Sequence, residues 1–111
     1  VLRRTSEQTA RAEKLSFDGL QIDAVARSVE VDGRQVALTV REFDILFHLA
    51  SHPRQVFARE QLLSSLWEDE FEGDASTVTV HVRRLRAKIE ADASRPVHVR
   101  TVWGVGYKFE P

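Results

Sequence analysis

Four cations crowd into one short stretch of this sequence, Arg83, Arg84, Arg86 and Lys88, and Thr77 and Val80 lead into them. Helical spacing, at about 100° per residue, puts Ser76, Val80, Arg83, Arg84 and Ala87 on one face, with Thr77 and Lys88 flanking the opposite one. That opposite face is an apolar stripe of Val78, Val82, Leu85 and Ile89. Arg86 falls at the edge of the stripe, where its stem can pack and its head can reach sideways. Guanidinium groups donate in pairs to guanine edges and to phosphates, and small side chains and hydroxyls leave room for a duplex groove. The exposed face therefore suits the DNA major groove. A basic helix face is also what an ordinary solvated surface looks like, so this helix alone leaves both readings open. Asp74 at its start and the bases at its end suit the helix dipole.

The whole chain bounds the alternatives. Its 111 residues make one small domain. A hydrophobic fraction of 42% and a charged fraction of 30% fit a soluble globular protein. No apolar run approaches the roughly 20 residues of a membrane span, and no signal-peptide pattern opens the chain. The first residue is Val1 rather than Met, so the chain reads as a fragment of something longer. Cysteine is absent, which excludes disulfides, thiol nucleophiles and zinc–thiolate sites and fits a cytoplasmic location. Net charge is only −1, but residues 1–74 hold nine Lys/Arg against fourteen Asp/Glu and residues 75–111 hold seven against three. The basic end is the one suited to a polyanion.

These elements must position the basic helix. Residues 1–14 are polar and read as a linker or disordered arm, leaving 15–111 as the folded domain. Residues 15–38 alternate in period two, as strands at 15–17, 20–22, 28–31 and 36–38. Asp18-Gly19 and Asp32-Gly33 mark hairpin turns. Thr39 and Glu42 form a capping box, with Leu38 and Phe43 at staple positions, so a helix starts at Val40. Phe43, Leu46, Phe47 and Ala50 are its expected buried face, and Pro53 stops it. Residues 57–67 read as a second helix carrying Leu62, Leu63, Leu66 and Trp67, with Ala58, which cannot cap, at its N-cap. An acidic stretch with Phe71 in it precedes the third helix, which runs to about Glu90. After a polar break at 92–96, strands at 97–102 and 107–109 flank a turn at 103–106 in which Gly104 and Gly106 are expected to serve the bend. A sheet, three helices and a hairpin make an α+β winged helix-turn-helix.

The segments Leu38-Thr-Val-Arg-Glu-Phe43, Arg59-Glu-Gln-Leu-Leu63, Val78-Thr-Val-His-Val-Arg-Arg-Leu-Arg-Ala-Lys88 and Arg100-Thr-Val-Trp-Gly-Val-Gly-Tyr-Lys-Phe109 together resemble the C-terminal DNA-binding domain of OmpR/PhoB-type response regulators. The resemblance covers residues 15–109. It implies a bacterial transcription factor with a phosphoacceptor receiver domain driven by a sensor kinase, binding direct-repeat double-stranded DNA as a head-to-tail homodimer. It also implies contact between the loop after the second helix and RNA polymerase. By the same resemblance Thr77, Arg84 and Arg86 match DNA-contacting positions, with Arg83 and Lys88 as neighbours, and Thr101 and Tyr107 match phosphate contacts at the wing. Trp67 matches an aromatic near DNA or polymerase. Read from their own chemistry, Glu68, Asp69, Glu70, Phe71 and Glu72 are either a solvated connector or a docking patch for a basic protein surface such as polymerase. The chain departs from the pattern where many members have Arg (Ser76), Asp (Thr79) or Arg (Trp103). Thr79 in place of Asp is expected to leave its basic neighbours without a partner. No cofactor or metal is implied.

Other readings are weaker. His48 and His52 share a helix face but have neither the HExxH glutamate nor a third ligand. His81 is expected to be a packed, hydrogen-bonded histidine rather than a base contact. Trp103 is either an exposed wing-tip aromatic, stacking on sugar or a partner, or a lid over the core, and the core is favoured; without the cation many members carry there, the wing tip is expected to read the minor groove poorly. Catalysis lacks a nucleophile elbow, a phosphate loop or a metal cluster. A winged helix that binds only protein has no need of Arg83, Arg84 and Lys88 on one face.

Overall fold

Period-two alternation builds the first part of the chain. The computed structural model describes residues 14–67 and 76–111, which divide into the units Val1–Ala37 and Leu38–Pro111. The first unit is an antiparallel sheet of β1 (Lys14–Phe17), β2 (Leu20–Asp23), β3 (Ser28–Val31) and β4 (Arg34–Val36), in sequence order. Leu15, Ile22, Val29 and Val36 line up across the strands, as do Phe17, Leu20 and Val31, so one face is apolar. Ser16, Gln21, Glu30 and Gln35 line up on the other. Asp32 and Gly33 take φ of 51° and 82°, the type I′ geometry that matches strand twist. β4 ends before Leu38, because Thr39 is already the cap of the next helix. The expected arm at residues 1–14 lies, apart from Lys14, outside the described residues.

In the second unit, α1 (Val40–Ala50) begins at the expected capping box. The Glu42 amide donates to Thr39 Oγ1 at 3.2 Å and the Thr39 amide to Glu42 Oε1 at 3.0 Å. The helix closes at Ser51, ahead of Pro53. Its buried set is Glu42, Phe43, Ile45, Leu46, Leu49 and Ala50, whereas the expected Phe47 is only half-buried. The covered arc is wider than one stripe because the two other helices and the last strand all pack on α1.

α2 (Arg59–Leu66) has Ala58 at its N-cap without a side-chain cap; only the Gln61 half of a box forms, its Oε1 accepting from the Ala58 amide at 2.7 Å. Phe57 and Ala58, read from sequence as helix, are β5. α3 (Ser76–Ile89) buries Val78, Val82, Leu85 and Ile89, the predicted stripe. The wing is β6 (Val99–Val102) and β7 (Gly106–Phe109), and β5 adds to its far edge to give the order β5-β7-β6. The pairing brings Phe57 opposite Tyr107 and Ala58 opposite Gly106. A Cβ at Gly106 would collide with the Phe57 carbonyl oxygen and sit 2.8 Å from Ala58 Cα. Close strand approach, not the bend, is thus what Gly106 serves, while Gly104, at φ +80°, makes the turn.

β6 begins two residues later than its apolar pattern. The Glu90 carboxylate, just past α3, accepts from the amides of Val97, His98 and Val99 at 2.8, 3.0 and 2.8 Å. One side chain thereby ties the end of the basic helix to the root of the wing.

Candidate nucleic-acid interface

The stripe that buries one side of α3 turns the other outward. Ser76, Arg83, Arg84 and Ala87 are exposed, Val80 keeps 40% of its surface, and Thr77 is half-buried at the edge. Among the described residues neither Arg83 nor Arg84 is paired with a carboxylate. Beside this face an open groove of about 680 Å³ runs between the start of α2, α3 and the wing. Arg59, Thr79, Arg83, Arg86, Thr101 and Trp103 are among its lining residues.

The remaining candidate residues are built into the scaffold. Arg86 donates through Nε to the Val99 carbonyl at 2.9 Å and through a terminal nitrogen to Thr101 Oγ1 at 2.6 Å. Its guanidinium stands 5.5 Å from the Tyr107 ring centre. Burial lowers its pKa, against the opposing influence of Tyr107 and Glu90. Lys88 donates to Glu42 Oε1 at 2.7 Å. Tyr107 is buried, with its hydroxyl donating to Thr79 Oγ1 at 3.4 Å. Thr79, expected to leave its basic neighbours without a partner, accepts from Arg59 at 3.2 Å, because a hydroxyl oxygen suffices where the guanidinium arrives from α2.

Trp67 is buried, with the Arg41 guanidinium 5.0 Å from its ring centre and the His81 ring 5.4 Å away. Arg41 also donates to the Leu66 carbonyl. The candidate partner residues Glu68, Asp69, Glu70, Phe71 and Glu72 lie outside the described residues. His81 is packed as expected, but its buried Nδ1 has no hydrogen-bond partner among the described residues. Burial lowers its pKa, Arg84 lowers it further, Glu42 opposes and Arg41 adds to the depression. Trp103 is 89% exposed, so it is no lid over the core. His48 and His52 pack edge-on to Phe57 at 4.7 and 5.6 Å, and burial followed by the neighbouring His52 lowers the pKa of His48.

Sequence reading passed over Glu42, Arg59 and Glu90 as members of this network. Arg59 had a local signal, a cation in the first turn of the supporting helix. Glu42 was read only as half of a cap, and Glu90 is held by amides beyond an irregular break.

Among the described residues, three helices, a C-terminal hairpin beside the last of them and outward arginines on that helix define a winged helix-turn-helix. Residues 33–109 match the family described as "Transcriptional regulatory protein, C terminal", and the chain belongs to it. It is 44% identical over 117 residues to the transcriptional regulatory protein SrrA of Staphylococcus aureus, covering 99% of this chain and 48% of that one. The chain spans about half the length of the curated relatives it matches. The response regulator DrrB of Thermotoga maritima, an OmpR/PhoB homologue, superimposes with a TM-score of 0.85 at 35% identity, covering 99% of this chain and 49% of that one. The RstA DNA-binding domain of Klebsiella pneumoniae, solved in complex with the RstA box, gives 0.79 at 38% identity, covering 88% and 97%. Among the described residues no helix is long and apolar enough to cross a membrane.

Proposed function

We propose that this chain is the DNA-binding effector domain of an OmpR/PhoB-type response regulator, a transcription regulator and not an enzyme. The observation that carries the reading is the outward face of α3, with Arg83 and Arg84 on a helix whose opposite side is anchored by Val78, Val82, Leu85 and Ile89.

In this reading α3 enters the major groove. Arg84, near mid-helix, donates to a base edge, Val80 offers apolar contact to a thymine methyl, and Arg83 and Thr77 hold phosphates. Arg86, Lys88, Thr101 and Tyr107 fix the angle between α3 and the wing. Arg86 and Lys88 retain N–H donors beyond those used internally, and these reach phosphates at the edge of the site. The family resemblance supports a receiver domain addressed by a sensor kinase, head-to-tail dimers on direct repeats, contact with RNA polymerase and a cytoplasmic setting. A protein-only winged helix would leave the exposed arginines without a task.

The test is fluorescence anisotropy of the chain against a random-sequence duplex of about 25 base pairs over a range of salt, beside Arg84→Ala. Affinity that falls steeply with salt and drops in the variant supports DNA binding through α3. Absence of binding at low salt, for a folded chain, rejects it.

A further inference from the structure

Arg59 is a cation that its own helix does not need. It is the first residue of α2, it is exposed, and it stands at the end where the helix dipole is positive and a cation is unfavourable. Among the described residues it pairs with no carboxylate. What holds it is one neutral hydrogen bond, donated from a terminal nitrogen to Thr79 Oγ1 on α3 at 3.2 Å. The Tyr107 hydroxyl donates to the same oxygen at 3.4 Å, so α2, α3 and β7 meet there. A carboxylate at that point would neutralise the guanidinium. A hydroxyl only steers it, and leaves its charge and its other N–H donors unspent. Arg59, Arg83 and Arg86 all line the open groove beside the outward face of α3, and Glu60 is the one acid among the lining residues.

We propose that Arg59 is a phosphate-binding residue, reaching from α2 to the strand of the duplex that flanks α3. The inference rests on the DNA-binding reading and extends it to a second helix. A helix lying in the major groove has a phosphate backbone along each side of it. Thr79 is half-buried at the edge of the outward face, one turn before Arg83, and Arg59 is tethered to it from the side. The guanidinium therefore stands beside α3 and not on its base-facing side. There it meets a phosphate oxygen, which adds affinity and fixes register without adding sequence preference. Giving up the Thr79 oxygen for a phosphate oxygen exchanges a neutral acceptor for a charged one, and the charge-assisted bond is the stronger.

The experiment compares the 111-residue chain with Arg59→Ala, Arg59→Lys and Thr79→Val. Affinity is followed by fluorescence anisotropy over a range of salt, on a duplex the chain selects from a random library and on a random duplex, with urea unfolding of each variant. Arg59→Ala is expected to lose roughly twofold to fivefold at moderate salt, the range for one exposed ion pair. The loss is the same on both duplexes, and the salt slope falls by about one. Arg59→Lys, which keeps the charge without the planar fork, restores the slope. Thr79→Val removes the internal acceptor yet keeps the slope, whatever it does to the urea midpoint. An Arg59→Ala slope equal to that of the wild type overturns the proposal. If Thr79→Val then loses as much affinity as Arg59→Ala, Arg59 is only a tie between α2 and α3. A loss confined to the selected duplex also overturns it, in favour of a base contact. Arg84→Ala run alongside separates the two readings: if it loses affinity and Arg59→Ala does not, α3 keeps its role and Arg59 alone is removed. A folded wild-type chain that binds no duplex overturns both.

Discussion

Lys88 Nζ donates to Glu42 Oε1 across 2.7 Å, joining the C-terminal turn of α3 to the first turn of α1. The same oxygen accepts from the Thr39 amide, so one carboxylate caps α1 and holds the basic helix. Glu42 is 1% exposed, whereas the Lys88 side chain retains 37% of its surface. Lys88→Ala therefore leaves a buried carboxylate short of a donor. We expect a loss of roughly 1–2 kcal/mol, less than for a fully desolvated pair because the ammonium is partly in water. Its DNA affinity should fall to the same degree on selected and random duplexes. Urea unfolding and anisotropy on one preparation check both, and an unchanged urea midpoint would show that the pair contributes little to stability.

The same pair sets an acid limit. Burial by itself would raise the Glu42 pKa, but the Lys88 hydrogen bond, the Thr39 backbone and side-chain hydrogen bonds and the Lys88 charge outweigh it, and the net direction is down from 4.5. A depressed folded pKa means that the unfolded chain binds the proton first. The contribution is therefore complete above the unfolded value and is lost as pH falls through the lower folded one. The wild-type urea midpoint should drop below pH 4.5 more steeply than that of Glu42→Gln. Parallel curves for the two would remove Glu42 from the acid response.

Two wing glycines separate two causes. Gly106→Ala puts a methyl group into the Phe57 backbone and should cost roughly 2–3 kcal/mol, with β5 released from β7. Gly104→Ala meets open space but sits at φ +80°, and should cost only about 1 kcal/mol. Thermal unfolding of the pair tests the order; equal losses would contradict the close-approach argument.

Arg83 and Arg84 are adjacent and both exposed, yet their assigned tasks differ. On a selected duplex Arg84→Ala should lose about 1–3 kcal/mol and relax the preference at one base position. Arg83→Ala should weaken all sequences alike and lower the salt slope by about one. Repeating the selection with each variant decides the division, and identical profiles would abolish it.

Much of this architecture is written locally. The Thr39–Glu42 box, the alternation of the first sheet and the Val78–Ile89 stripe depend on residues a few positions apart, and short-range geometry forces each of them. Phe57–Ala58 escaped because a two-residue strand has no period; only Gly106, far along the chain, makes it a strand.

Spacing along the chain by itself determined which side of α3 faces the core and which side presents arginine, since a helix of given period has no other way to sort those residues. Tertiary structure alone decided which cations are held by internal partners. Arg86 and Lys88 lie among the same run as Arg83 and Arg84, but a wing threonine and a buried glutamate, distant in sequence, come within hydrogen-bond reach of the first two and not the second. It likewise decided that Trp103 stands in solvent: hydrophobicity can favour burial of an indole, but only the length and anchoring of the hairpin determine whether a core lies within its reach.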